Sequence, residues 1–207
     1  GSARSLDHTD KDVRLFTACS MAEVLRIYAP EAPFSSPVLM QGFALVTAQL
    51  RGLSAVTGKQ AQAAAAQGHR PVPVLYLLHS LATVKSCIIL SELVQQDLPR
   101  AEEELVEFFD CLLRVVQEDH PPELREQVLE VLAACLAGLE VVPQALLDTV
   151  LLCLLPEHKA ESPASYQLTQ LFVARCFAEL NPSITAFINQ VLTGKGCGAS
   201  EVEEEHV

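Results

Sequence analysis

The chain has 207 residues, half of them hydrophobic, which is enough to bury a continuous core and too apolar for a disordered polymer. Fourteen Lys and Arg stand against twenty-six Asp and Glu, and the net charge of −12 argues against wrapping nucleic acid, which needs clustered cations that displace counterions. Eight Phe, three Tyr and no Trp, amid abundant Leu, Ala and Val, favour packed helices over an aromatic-rich β-sandwich, so the expected fold class is all-α.

Gly1-Ser2 reads as a cloning remnant, and residues 1–8 as a flexible start. Thr9 is a candidate cap for a first helix bearing Val13, Phe16, Ser20, Val24 and Ile27 and ending near Tyr28, with Asp12 suiting the dipole of its first turn. Ser36-Pro37 opens a second helix that runs to about Arg51 before Gly52. Residues 53–73, with Gly58, an alanine tract, Gly68 and two prolines, read as a surface insertion loop that buries no face. Leu77, Leu81, Val84 and Ile88 mark a third helix ending near Leu93, and Leu105, Phe108, Phe109, Leu112 and Val116 mark a fourth. Pro121-Pro122 opens a fifth with Leu124, Val128, Val131, Leu132, Cys135 and Leu139 on one stripe, and Pro143 opens a sixth with Leu147, Val150, Leu151 and Leu154. Ser162-Pro163 precedes a seventh with Leu168, Leu171, Phe172 and Cys176, and Asn181-Pro182 an eighth with Ile184, Phe187, Ile188, Val191 and Leu192.

Eight helices make about four antiparallel pairs, at roughly forty to fifty residues per pair once the insertion is discounted, a spacing that fits HEAT units better than tetratricopeptide ones. Residues 9–207 therefore read as one HEAT-repeat α-solenoid. Glu201, Glu203, Glu204 and Glu205 crowd what could be the first turn of another helix, so the array is expected to continue past Val207.

Six of the seven cysteines lie in apolar helical patterns, a reduced, intracellular signature that offers no activated thiol. Cys153 and His158 are the nearest approach to a metal pair and lack a second pair, so no metal and no cofactor is expected. Apolar runs break well before membrane-spanning length, and no phosphate loop or catalytic constellation emerges, so the chain is not expected to be an enzyme. What remains is Tyr28-Ala29-Pro30-Glu31-Ala32-Pro33. Two prolines fix their own φ and bias Ala29 and Ala32 away from helix, giving a preorganised corner that holds the Glu31 carboxylate at its tip. Tyr28 is expected to pack under this corner and Phe34 to close its far side. Such a corner suits a short peptide carrying an Arg or a hydroxyl, at small ordering cost. An inter-helix turn with a capping carboxylate is the plainer alternative.

Asp10-Lys11-Asp12-Val13-Arg14-Leu15 and Arg26-Ile27-Tyr28-Ala29-Pro30-Glu31-Ala32-Pro33 resemble the entry helix and the Ala-Pro-acid-Ala-Pro turn of the precocious-dissociation-of-sisters (Pds5-type) family of cohesin-associated HEAT-repeat regulators. Weaker matches follow at Leu81-Ala82-Thr83-Val84-Lys85-Ser86, Leu155-Pro156-Glu157-His158-Lys159 and Phe187-Ile188-Asn189-Gln190-Val191-Leu192, while Thr83 and the alanine-rich segment depart from the family pattern. The resemblance implies an amino-terminal portion of a non-enzymatic, chromosome-associated nuclear scaffold for sister chromatid cohesion, acting as a monomer. It implies docking of short Wapl or sororin motifs on Ala29, Pro30, Glu31, Ala32 and Pro33, with Lys85 and Ser86 secondary. Cohesin ring subunits are further implied partners, the kleisin contact lying mostly beyond Val207. A general HEAT or armadillo adaptor, for example in trafficking or phosphatase assembly, is the alternative.

Overall fold

A computed structural model describes residues 8–29, 31–67 and 72–192, and all of its regular elements are helical. The helices are α1 (Lys11–Tyr28), α2 (Ser36–Leu50), a 3-10 turn (Arg51–Ala55), α3 (Gly58–Gln67), α4 (Pro73–Val84), α5 (Ile88–Gln95), α6 (Ala101–Arg114), α7 (Pro122–Ala137), α8 (Gln144–Leu152), α9 (Pro156–Glu161), α10 (Pro163–Arg175) and α11 (Phe177–Leu192). They stack in two layers. In one, α1, α4, α7 and α10 pack side by side; in the other, α2, α6, α8 and α11 do the same, with α5 wedged against α6 and α7. Each repeat contributes one helix to each layer, giving the HEAT-like solenoid that the proline-initiated stripes imply.

The stripe on α7 is the centre of the core. Leu124, Val128, Val131, Leu132 and Cys135 are all buried, and α7 packs against α4, α5, α6 and α10. Phe109 and Phe172 meet edge to face across the same core, their centroids 5.9 Å apart. Six of the described cysteines fill core positions as small apolar groups.

Five local expectations are corrected. The cap of α1 is Asp10, not Thr9: its Oδ1 accepts the Asp12 amide at 2.8 Å and the Val13 amide at 3.3 Å. The face that α1 buries is Ala18, Cys19, Met21, Ala22 and Leu25, whereas Phe16 and Ile27 are 60% and 66% exposed. Ala18, Cys19 and Ala22 allow the close approach to α2 and α4, while Phe16 and Ile27 are turned outward. The third helix breaks at Lys85, whose left-handed φ of 57° closes α4 with an amide bond to the Leu81 carbonyl and bends the path by 66° into α5. The eighth helix starts at Phe177, and Pro182 lies inside it; the sharp turn of 98° from α10 falls at Cys176 instead. The described part of residues 53–73 is mostly helical.

That last correction has a clear cause. Leu53, Val56 and Ala61 are buried, so the segment does present a face to the core. His120, itself buried, pins it: Nδ1 accepts the Gln117 amide at 3.1 Å, which leaves the proton on Nε2 to be donated to the Val56 carbonyl at 2.8 Å. Asp119 Oδ2 accepts the Gly58 amide at 2.7 Å, and Arg51 donates to Glu107 at 2.5 Å. A Cβ on Gly58 would come to 2.0 Å from the Asp119 carbonyl oxygen, so only glycine allows this approach.

Leu132→Ala is expected to cost about 2–5 kcal/mol through the cavity it leaves in the α7 core, read from urea unfolding. Gly58→Ala should cost about 1–3 kcal/mol by forcing the α3 anchor off Asp119, with faster backbone exchange confined to the residues around Val56 and Gly58.

Candidate functional site

The corner after α1 is built from the backbone outward. Ala29 ends the helix at φ −51° and ψ 138°, the extended setting a following proline enforces. The Glu31 amide then donates to the Tyr28 carbonyl at 3.0 Å. Ala32 and Phe34 are half-buried and pack on the core, which anchors the far side of the corner, and Ser35 caps α2 through its own carbonyl, which accepts the Val38 and Leu39 amides. Pro30 lies outside the described residues. Glu31 and Pro33 are exposed, and among the described residues no cation pairs with the Glu31 carboxylate. Tyr28 does not pack beneath the corner: it is 57% exposed, beside exposed Ile27.

Pairings between α1 and α4 place Lys85 at the same end of the layer. Cys19 Sγ reaches the Pro73 carbonyl at 3.5 Å, and Tyr76 Oη donates to Glu23 Oε1 at 2.7 Å. The two helices therefore run parallel in a register that sets Tyr28 level with the end of α4. Lys85 is half-exposed and lies 3.9 Å from Glu130. Ser86 is buried, so its side chain does not face solvent, and its backbone carbonyl accepts the Ile89 amide within the bend. The α1–α4 seam is locked by Glu23, whose carboxyl is held below its usual range first by the Arg26 guanidinium and then by the Tyr76 hydroxyl.

Among the described residues, no reactive thiol or catalytic group is assembled. Burial raises the thiols of Cys19 and Cys153, and pushes Cys111 up to about 12 and Cys176 up to about 11; Cys87 is raised first by its contact with Cys135. One serine–histidine pair does form, His158 Nε2 to Ser165 Oγ at 2.9 Å, yet Ser165 is fully buried in the first turn of α10 and serves the packing of that end. Cys153 is likewise buried, and among the described residues no group of three or more His, Cys, Asp or Glu gathers as a metal site. Six basic side chains, Arg26, Arg51, Lys85, Arg100, Arg114 and Arg175, are engaged in ion pairs with carboxylates, so they form no free stripe for phosphates. No single described helix is long and apolar enough to cross a membrane.

A two-layered stack of helix pairs with an exposed, carboxylate-bearing corner defines a HEAT-like scaffold, a class that works by displaying surface. Within it, the family described as sister chromatid cohesion protein PDS5 matches residues 3–207. The chain is 34% identical over 200 residues to sister chromatid cohesion protein PDS5 homolog B of Gallus gallus and, equally, of Homo sapiens, covering 96% of this chain and 13% of each relative. PDS5 homolog A of Gallus gallus is 33% identical over 205 residues, 98% of this chain and 14% of that protein. The chain belongs to the PDS5 family, and it spans about 13% of the length of these relatives. The same fold recurs in a solved structure described as "Structure of the Pds5-Scc1 complex and implications for cohesin function", with a TM-score of 0.71 at 22% identity over 98% of this chain and 28% of that one.

The sequence directs attention to the corner and to Lys85, and the fold brings these to one end of the molecule. It gives no sign of the cavity beside that end, between α2 and α6, because its lining residues come from two helices far apart in the chain.

Tyr76→Phe should weaken the α1–α4 seam by about 1 kcal/mol at neutral pH. Because the Glu23 carboxyl titrates lower in the folded state, its stabilising contribution is present above the ordinary carboxylate range and fades as pH falls through the folded value. Unfolding of the variant followed between about pH 5 and 3 should therefore lose less stability than the unsubstituted protein does.

Proposed function

We propose that this chain is the peptide-docking portion of a non-enzymatic cohesin regulator, acting on chromosomes in the nucleus to tune sister chromatid cohesion, release and maintenance. The observation that carries the reading is the corner itself: a rigid, exposed carboxylate that the core does not use, in a member of the PDS5 family. Its relatives are named as sister chromatid cohesion proteins, and a fold neighbour was solved with Scc1.

In this reading, short motifs from regulators such as Wapl or sororin lie along Tyr28, Ala29, Pro30, Glu31, Ala32 and Pro33. Glu31 accepts a charge-assisted bond from a motif arginine, and exposed Tyr28 and Ile27 supply apolar contact. Preorganisation keeps the ordering cost on the peptide's side alone. Lys85, level with Tyr28 across the α1–α4 seam, flanks the path, and Ser86 contributes by holding the bend that aims Lys85. Ring subunits, the kleisin among them, are partners of the longer protein.

Calorimetric titration with a Tyr-Ser-Arg-containing Wapl peptide tests this. Saturable binding is expected in the unsubstituted chain and none in Glu31→Lys, with the melting temperature nearly unchanged, since an exposed substitution there shifts stability by no more than about 0.5 kcal/mol. Equal binding by both proteins would move the site elsewhere, and unfolding of Glu31→Lys would make the carboxylate a structural cap.

A further inference from the structure

A cavity of about 390 Å³ opens between the amino-terminal ends of α2 and α6, at the same end of the molecule as the proline corner. Its walls are largely apolar, formed by Pro37, Met40, Ala44 and Leu98. Facing them is Glu104, only 9% exposed. A carboxylate taken out of water is costly unless it is paired and hydrogen-bonded. The ion partner that the described residues give Glu104 is Arg100, whose Nη2 stays 3.8 Å away, beyond hydrogen-bond reach. Arg100 is itself 73% exposed, shared with Glu103 at 3.3 Å, and held at a left-handed φ of 67°. Among the described residues, the Glu104 carboxylate oxygens accept no protein hydrogen bond but still touch solvent at the cavity mouth, where Arg100 also lines the wall. Burial, and then the like charges of Glu107 and Glu103, raise its pKa against the pull of Arg100.

We propose that this cavity is a docking pocket for a Lys or Arg side chain carried by an extended segment of a partner protein. The aliphatic stem of such a side chain matches the apolar walls, and its charged head replaces water at Glu104 as the exposed Arg100 side chain swings aside. The approach is set by charge: in the adjoining groove between α6 and α8, Asp97, Glu102, Glu103, Glu107 and Asp110 outnumber the one cation, Arg100, a net negative lining that attracts a basic segment and repels phosphates. A small inorganic cation is a poor occupant, because no group of three or more metal-ligating side chains forms among the described residues. The pocket uses no residue of the proline corner, so it stands or falls separately from docking there.

The chain contains two methionines, and they provide the assay. Met40 lines the pocket, while Met21 is buried on α1 against α2. With isotope-labelled methionine methyls, the protein is titrated with the blocked peptide Ala-Leu-Arg-Leu-Ala and with the same peptide carrying neutral citrulline in place of arginine. The arginine peptide should move the Met40 signal saturably and leave Met21 in place, and the citrulline peptide should bind at least about tenfold more weakly. Glu104→Gln should lose the same preference with its Met21 signal unmoved, and Glu31→Lys should keep it. A still Met40 signal, equal response to both peptides, or undiminished arginine preference in a folded Glu104→Gln protein would overturn the proposal; the two-peptide comparison decides it even if that variant does not fold.

Discussion

The surface of this chain follows from the way α7 is enclosed. Val128, Val131, Leu132 and Cys135 have no exposure at all, and they can be covered only if α4 and α10 flank α7 in one layer while α5 and α6 close it from the other. No helix pair could bury such a stripe alone, so stability is shared between neighbouring repeats. The stacking also fixes direction. With α1 parallel to α4, and α2 parallel to α6, the ends of the first pair of helices meet the starts of the second at one edge. The proline corner, the Lys85 bend and the Glu104 cavity all lie on that edge, although Glu31, Lys85 and Glu104 belong to different helix ends along the chain.

Much of this was legible from the chain. Prolines near helix starts located α2, α7, α8 and α10, because a residue without an amide proton is harmless where no intrahelical partner exists. The α7 stripe was readable because its large apolar residues are also its buried ones. On α1 that rule fails: Ala18 and Ala22 are buried for their smallness while Phe16 points out, and hydrophobic size alone cannot tell a close contact from an outward ridge. Lys85 breaks a helix without a glycine or proline to announce it, and the apolar spacing from Leu77 through Ile88 runs straight across the bend. Pro182 misled in the opposite direction, since a proline one turn into a helix displaces only a single amide bond and packing can absorb that.

The segment after α2 was misread for a related reason. Its alanine tract has no amphipathic pattern, but its anchoring is polar and comes from the loop before α7, where His120 and Asp119 take up the Val56 carbonyl and the Gly58 amide. Those bonds satisfy backbone groups that would otherwise be stranded at the edge of the core, and they cannot be inferred from residues 53–73 alone. The Glu104 cavity was hidden likewise, since a glutamate in the first turn of a helix looks like ordinary dipole compensation until the apolar walls from α2 are seen to enclose it.

Two carboxylates at one edge have different energetics, and this bears on the two docking sites proposed for it. Glu31 is exposed, so pairing it with a cation gains no more than about 1 kcal/mol; its value is geometric, fixing where a charged group must sit. In the proposed docking, affinity at the corner comes chiefly from apolar contact with Tyr28 and Ile27, and Glu31→Lys removes binding by setting a like charge where the motif arginine must sit, beyond the loss of the pair itself. In the proposed pocket, Glu104 is largely enclosed by apolar walls while its oxygens keep contact with water, and a charge-assisted bond from a partner there is worth about 1.5–3 kcal/mol. At the two proposed sites, an exposed acid would orient a segment and an enclosed one would add a charge-assisted bond, so that short segments are selected by spacing and charge while each contact stays weak enough to release.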